Sequence, residues 1–133
     1  MSTFGFFSDA GLTVPVATLR HYNTQGDRLL YFGSPAVGQQ LQDNAAPGST
    51  NVQVTLADSA GGTGLATSAV KLAATNGGLA GATGGAALSL GATVLSGTAN
   101  AKPVHIRINT TGLADGEYVD VSLNVNAVRE DPV

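Results

Sequence analysis

The strongest constraint on the fold is an alternation of apolar and polar residues along two runs near the C-terminal end. Residues 102–109 read KPVHIRIN, and residues 117–126 read EYVDVSLNVN. A period of two is typical of β-strands that bury one face and expose the other to water. Because the turn residues Asp115 and Gly116 lie between the runs, the pattern predicts a β-hairpin. Its inward-facing residues are expected to be Val104, Ile106, Ile108, Val119, Val121, Leu123 and Val125.

Three earlier segments are also predicted to form strands. Residues 51–56 alternate cleanly, and residues 86–95 do so less regularly. Residues 65–73 fit a short helix by propensity or a strand by alternation. The strand is favoured because residues 76–77, Asn-Gly, suit a tight hairpin turn with positive φ. The residues expected to face inward are Val52, Val54 and Leu56 in the first segment and Leu88, Leu90 and Val94 in the last.

The spacing of strands and turns predicts an all-β fold, an Ig-like antiparallel β-sandwich of about seven or eight strands with an extended N-terminal arm. A chain of 133 residues is expected to form one domain. Residues 1–32 are assigned to the arm and the first strands. Residues 33–49 are assigned to a loop because they are rich in turn residues, and residues 50–133 to the main body of the sandwich.

Charge and composition exclude several classes of partner. The net charge is −3, and the six cationic residues are scattered along the chain, whereas phosphate binding requires clustered Lys or Arg. We therefore expect no nucleic-acid partner. No apolar run approaches the roughly eighteen residues of a membrane helix, and residues 1–7 do not resemble a secretory signal. The absence of Cys excludes disulfides and Cys-based metal sites. We expect a protein that is made in the cytoplasm and has no membrane partner.

The sequence offers few residues for catalysis. His21 and His105 are the only imidazoles, and neither has a carboxylate at ligand spacing. His105 lies on the outward face of its predicted strand, as a solvated or interface residue would. No nucleophile elbow, zinc-protease motif or phosphate-binding lysine motif is present. The sequence therefore predicts that this protein is not an enzyme and has neither a catalytic residue nor a cofactor.

Two further groups of residues have some of the chemistry of a binding site. Asp115, Glu117 and Asp120 carry the oxygen ligands that calcium prefers, but Glu117 and Asp120 fall on opposite strand faces. A solvated turn without metal is the better interpretation. The glycine-rich segments 61–64 and 84–85 lack the neighbouring helix and cation of a phosphate-binding loop. They are interpreted as flexible loops.

The N-terminal segment is the predicted contact with a neighbouring subunit, because compact monomers rarely begin with a cluster of Phe residues. The alternative is that these rings close the domain's own core. Pro15 cannot donate a ladder hydrogen bond, which places its strand at an edge or in an arm. The candidate interface residues are Phe4, Phe6, Phe7, Val14 and Val16.

Tyr118 follows a turn at the entry of the last long strand. Greek-key sandwiches often place at this position a corner Tyr whose hydroxyl bonds back to the turn. A structural role is therefore favoured for Tyr118 over a binding role.

Residues 97–126, GTANAKPVHIRINTTGLADGEYVDVSLNVN, resemble the C-terminal hairpin of Ig-like virion proteins of tailed bacteriophages. Residues 30–38 and 79–91 are similar to segments of small phage structural proteins. The ending also looks like that of spore-coat-U or pilin-like secreted subunits, but the sequence shows neither the signal peptide nor the Cys pair of that class. The residues of that second resemblance are Gly116, Tyr118, Asp120, Val121 and Val125.

The phage resemblance implies a non-enzymatic virion component, synthesised in the host cytoplasm, that binds other virion proteins and forms a homo-oligomer. The leading hypothesis is a capsid decoration or cement protein that binds the major capsid protein and stabilises the head shell. The alternative is a tail or baseplate module that contacts tail proteins. In that case loops 59–64 or 76–86 would meet host carbohydrate or protein.

Overall fold

The computed structural model describes residues 3–16, 21–22, 27–58, 67–109, 117–118 and 121–133, with the backbone alone at residues 21, 22, 58, 117 and 118. Nearly all of the regular structure in this part of the chain is extended, as the all-β prediction requires. The strands are β1 (Gly5–Phe7), β2 (His21–Tyr22), β3 (Arg28–Gly33), β4 (Gln39–Asp43), β5 (Gln53–Asp58), β6 (Val70–Ala73), β7 (Leu88–Ser89), β8 (Thr93–Leu95), β9 (Lys102–Ile108), β10 (Glu117–Tyr118), β11 (Val121–Val125) and β12 (Val128–Pro132). Three short 3₁₀ turns cover Thr67–Ala69, Gly77–Leu79 and Thr98–Asn100.

The described strands form several antiparallel sheets. One is four-stranded, with the order β1-β3-β9-β6. Two are three-stranded, with the orders β11-β5-β7 and β12-β4-β8, and β10 pairs with β2. The all-β class and the antiparallel pairing predicted from the sequence are thus confirmed.

The two three-stranded sheets follow one another along the same three stretches of chain. β4 leads into β5, β7 into β8 and β11 into β12, so the strand order is the same in both sheets. Backbone hydrogen bonds continue across the junction, from Asn44 N to Ala127 O at 2.9 Å and from Asn126 N to Gln53 O at 3.3 Å. We refer to these six strands together as the bent layer.

The core receives buried side chains from the four-stranded sheet and from the bent layer. This shared core gives the molecule a sandwich-like arrangement, and burial of each large aliphatic side chain contributes about 1.5–3 kcal/mol. The four-stranded sheet supplies Leu30, Phe32, Val70, Leu72, Val104 and Ile106, and the bent layer with its connections supplies Leu41, Val52, Val54, Leu90, Val94 and Val121.

The predicted C-terminal hairpin is wrong. β9 lies between β3 and β6, with Leu30 opposite Val104, whereas β11 pairs with β5 in the bent layer. The alternation correctly identified which face of each strand is buried. The two strands do not pair, because they lie on opposite sides of the core that they share. Val104, Ile106 and Val121 are buried, Ile108, Leu123 and Val125 pack against the core, and Val119 lies outside the described residues.

Residues 33–49 were predicted to be a loop, yet they contain β4. This strand reads Gln-Gln-Leu-Gln-Asp, so Leu41 is its one apolar residue, and Leu41 is buried. The polar residues Gln40 and Gln42 lie in the middle of a sheet because their strand pairs with β12 on one side and β8 on the other. A strand with one apolar residue gives no period-two signal, so the sequence pattern does not predict β4.

Within the segment 65–73, Val70–Ala73 form a strand as predicted and Thr67–Ala69 form a 3₁₀ turn, while residues 65–66 lie outside the described residues. The tight hairpin turn that favours the strand interpretation is not formed. β6 begins at Val70 and pairs with β9, not with the strand that follows it. Asn76 has a right-handed helical backbone with φ −61°, and Gly77–Leu79 forms a 3₁₀ turn. Leu79 is buried, so its burial directs the chain inward instead of into a hairpin.

The other predicted strands are present. Val52 directly precedes β5 and Val54 lies within it, and both side chains are fully buried. Leu56 packs against the core. Residues 86–95 form two strands, β7 and β8, because the chain passes from one three-stranded sheet to the other at Gly91. Gly91 has φ +96°, a conformation that favours glycine.

Candidate functional site

The N-terminal residues are part of the four-stranded sheet. β1 is its edge strand, and Phe6 lies opposite Phe32 of β3. The ring of Phe6 lies 5.0 Å from that of Phe32 at an interplanar angle of 58°, and the ring of Phe4 stacks on Phe32 at 6.1 Å. Ring pairs at these separations stabilise a core beyond the area that they bury. Residues 5–7 are therefore an edge strand of this sheet.

Residues 8–16 turn back and run beside β1. Ser8 N donates to Val14 O at 2.9 Å, and Val16 N donates to Phe6 O at 2.8 Å. At the turn, Asp9 accepts hydrogen bonds from Thr13 Oγ1 and from the backbone N–H groups of Thr13 and Val14. These bonds lower the pKa of Asp9, and the bond from the Thr13 hydroxyl has the largest effect. Thus the edge of β1 is covered by the chain's own backbone.

The candidate interface residues are unequally exposed. Phe7 is buried, and Phe4, Phe6 and Val16 are half-buried and pack against the core. These contacts are those expected if the rings close the domain's own core, the alternative that the sequence left open. Val14 is the exposed member of the set, at 52%.

A group of exposed apolar side chains lies at one end of the sheet β12-β4-β8. Val37 is 91% exposed, Val133 is 76% exposed and Leu95 is 42% exposed. Leu95 belongs to the pair Gln40–Leu95 near the start of β4, and Val133 N donates to Gly38 O at 2.9 Å. We call Val37, Leu95 and Val133 the end patch. Its residues gave no sequence signal of a shared surface, because they lie in three segments that are far apart in the sequence.

Hydrogen bonds of Thr3 and Ser34 join the two layers. Thr3 N donates to Glu130 Oε1 of β12 at 2.6 Å, and the Thr3 and Ser34 hydroxyls lie 2.5 Å apart. Ser34 is fully buried, and its carbonyl accepts from Gly97 N at 2.7 Å. Ser34 therefore connects the segment that leads to Val37 with the segment that follows Leu95.

The outer face of the four-stranded sheet carries a second feature, a cationic cleft. Lys71 of β6 lies opposite Arg107 of β9. Arg107 binds Asp27 through Nε at 3.1 Å and Nη2 at 2.9 Å. The Arg107 hydrogen bond and charge lower the pKa of Asp27, and the same contact raises the pKa of Arg107. The cleft has a volume of about 340 Å³ and is lined by Ser68, Ala69, Lys71, Gly84, Arg107, Ile108 and Asn109.

Gly84 lines this cleft, and Gly85 follows it in the same loop. A methyl group at Gly84 would overlap the carbonyl oxygen of Ser68, and Gly85 has φ +82° and donates to Val70 O at 2.8 Å. These glycines permit a close approach of two backbones. From the sequence alone, these two glycines are predicted only to belong to a flexible loop.

The remaining candidate residues do not converge. His105 is half-buried on β9, opposite Leu29 of β3 and Ala73 of β6. Tyr118 pairs with His21 between β10 and β2, and both side chains lie outside the described part, so the corner role of Tyr118 stays a prediction. Asp115, Asp120 and residues 61–64 are also outside it, as is the Glu117 side chain.

Among the described residues, no three His, Asp or Glu side chains are grouped so that they could hold a metal ion. None of the described helices has the length and apolar character that crossing a bilayer requires. Comparison of the chain with protein-family models, curated proteins and solved structures returned no match.

Proposed function

We propose that this chain is a non-enzymatic structural protein of a bacteriophage virion, with an Ig-like sandwich fold. Within the virion we assign it to the capsid, as a homo-oligomeric decoration protein that binds the major capsid protein and stabilises the head shell. The resemblance of residues 97–126 to Ig-like virion proteins supports the class. The structural observation that carries the proposal is the end patch, because three exposed apolar side chains at one end of a sheet offer apolar area for a protein–protein contact.

The end patch is a better docking site than the N-terminal residues. Phe4, Phe6 and Phe7 contact the protein's own sheet and core, so their apolar area is already covered. Val37 and Leu95 are exposed, and the Ser34 and Ser96 contacts hold the segments that carry them. A preorganised apolar surface binds without a large cost in ordering.

The neighbouring edge strand does not favour association by strand addition. β12 contains Arg129, Glu130 and Asp131 in succession and then Pro132. Charged residues and Pro on an edge strand oppose pairing with another chain. The salt bridge between Arg129 and Asp131, at 2.7 Å, lies on this same strand. Contact through apolar side chains at the end of the sheet is therefore preferred to contact through its edge.

The test is incorporation into particles of a variant that removes the apolar groups of the end patch. We expect Val37→Ser together with Leu95→Ser to lower occupancy on heads about ten-fold or more, since two exposed apolar contacts of about 1 kcal/mol each are lost. Leu29→Ser is the matched control, because Leu29 is 38% exposed, close to the 42% of Leu95, but lies on the four-stranded sheet. Normal incorporation of the double variant, or an equal loss with Leu29→Ser, would contradict the docking site.

A tail or baseplate module is the second candidate. The cationic cleft favours it, because a cleft beside loop 76–86 suits contact with a host-surface molecule. Copy number separates the two candidates. Electron microscopy of labelled particles should show label over the whole head for a decoration protein, whereas label confined to the tail would replace the first proposal by the second.

A further inference from the structure

We propose that the cationic cleft binds an acidic monosaccharide, a sugar-sized molecule that carries one carboxylate. This inference goes beyond the structural role and is independent of the end patch. It rests on the two cations that the strand register brings together, on the polar groups around them and on the size of the cleft.

The register of β6 and β9 produces a local excess of positive charge in an acidic protein. The chain has six cationic residues and a net charge of −3, and two of the six lie directly opposite each other here. Like charges in opposite positions of a sheet are unfavourable unless a counter-charge lies close. Asp27 supplies one such charge, to Arg107. Lys71 makes no ion pair within the part of the chain that the structure describes, so its ammonium group can bind an added anion.

Asp27 also orients Arg107. Its carboxylate accepts from Nε and Nη2 of the guanidinium group, which leaves Nη1 without a bond among the described residues. A guanidinium held by a bidentate contact keeps its remaining donor in a defined direction. Lys71 and Arg107 together can therefore hold one carboxylate.

The charge balance favours a monoanion. Lys71 and Arg107 contribute two positive charges and Asp27 one negative charge, so the cleft carries a net charge of about +1. A carboxylate at neutral pH carries a single negative charge, whereas a phosphate monoester carries about −1.5 to −2. The Asp27 carboxylate and the net charge of the protein would repel the second charge of a phosphate.

The remaining lining groups fit a hydroxylated ring. Ser68 is exposed at the cleft and offers a hydroxyl that can both donate and accept, and the polar residue Asn109 also lines the cleft. Ala69 and Ile108 supply an apolar surface for the ring carbons. The volume of about 340 Å³ is at the lower end of small-molecule sites, which suits one sugar unit.

The inference can be tested by titrating the full chain with glucuronate while amide chemical shifts are followed by NMR. Three further probes are used for comparison. Glucose lacks the charge, acetate lacks the ring, and glucose 6-phosphate carries a dianion in place of the carboxylate. We expect saturable shifts with glucuronate at residues 68–71 and 107–109, and weaker binding of the other three. Lys71→Gln should weaken glucuronate binding about ten-fold. Lys102→Gln removes the same charge outside the cleft and should change binding less than about two-fold.

Several outcomes would overturn the proposal. Equal binding of glucose and glucuronate would show that the carboxylate is not recognised, and equal binding of acetate would show that the ring is not. Tighter binding of glucose 6-phosphate would contradict the monoanion argument. An unchanged affinity in Lys71→Gln would place the ligand elsewhere. None of these results depends on incorporation into particles, so failure here is distinguishable from failure of the end-patch docking.

Discussion

Asn126 and Asp43 are hydrogen-bonded at the bend between the two three-stranded sheets, with Asn126 Nδ2 donating to Asp43 Oδ1 at 3.0 Å. The same Asn side chain accepts from Gln53 N at 2.8 Å and donates to Asn51 O at 3.3 Å. Asp43 is 8% exposed, and its second oxygen accepts from backbone N–H groups of the following turn. One amide therefore joins the end of β4, the start of β5 and the junction of β11 with β12.

Replacing Asn126 should weaken the fold at this junction. Asn126→Ala removes three hydrogen bonds and takes a donor away from a buried carboxylate. We expect the free energy of unfolding to fall by about 2 kcal/mol, the usual cost of leaving a buried polar group unpaired. Asn124→Ala is the control, because Asn124 is exposed and bonds only Ser122 among the described contacts. Its effect should stay within about 0.5 kcal/mol. Equal losses for the two variants in guanidinium denaturation would refute the role given to Asn126.

Gly84 should tolerate no side chain. Gly84→Ala places a methyl group against the Ser68 carbonyl oxygen, so the backbone of one loop must move. We expect a loss of about 1–3 kcal/mol in the free energy of unfolding, as for other overpacked sites. Gly81→Ala is the matched control from the same loop, because nothing lies within 4 Å of the added methyl group. Thermal unfolding of both variants gives the comparison, and a Gly84→Ala protein as stable as Gly81→Ala would be inconsistent with the observed close approach.

The Asp27–Arg107 pair should make stability depend on pH in the acid range. The pKa of Asp27 is lowered in the folded state from its ordinary value of 3.8, so its contribution is present above that value. The contribution is lost as the pH falls through the lowered pKa. Both side chains are partly exposed, and the effect should therefore shrink in 1 M salt.

Carboxyl NMR should show a titration midpoint below 3.8 for Asp27 and a return toward 3.8 in Arg107→Gln. Asp27→Asn should remove part of the acid dependence of unfolding. The lowered pKa of Asp9 acts in the same direction and remains in this variant. A midpoint for Asp27 that is unchanged by Arg107→Gln would show that the contact is not formed in solution.

The N-terminal rings should matter for stability. Phe6→Ala removes a half-buried ring that contacts Phe32, and we expect a loss of about 2 kcal/mol in urea denaturation. Val14→Ala, on the segment that returns beside β1, removes an exposed side chain and should cost less than about 0.5 kcal/mol. A Phe6→Ala variant that unfolds like the unaltered protein would indicate that the rings contribute nothing to the core.

The sequence predicted buried faces better than it predicted strand partners. Val52, Val104 and Ile106 are fully or almost fully buried, as their alternation indicated. The partner of each strand depends on contacts between distant segments. The alternation within one strand carries no information about those contacts. This is why β9 and β11 were expected to pair although they lie in different sheets. β4 is not predicted by its own sequence, because it has only one apolar residue. Its place in the middle of a sheet comes from pairing with β12 and β8.

The candidate sites were less predictable than the fold. Val37 follows a Ser-Pro-Ala turn and is exposed because the chain bends there between two layers. Lys71 and Arg107 become neighbours only through the register of two strands that are far apart in sequence. Neither juxtaposition leaves a local pattern. The Phe residues did carry a strong local pattern, but it left open whether a neighbouring subunit or the domain's own core would cover them.

The strand order has a consequence for the synthesis of this chain. Each described sheet combines at least one strand from residues 5–58 with at least one from residues 70–132. When the first 58 residues have left the ribosome, β4 and β5 still lack every partner, and β3 has only β1. Long-range pairings of this kind fold slowly and leave strands open to aggregation until the last partners arrive. Residues 5–58 therefore complete no described sheet on their own, and a stop in translation before residue 70 yields a fragment without a completed sheet.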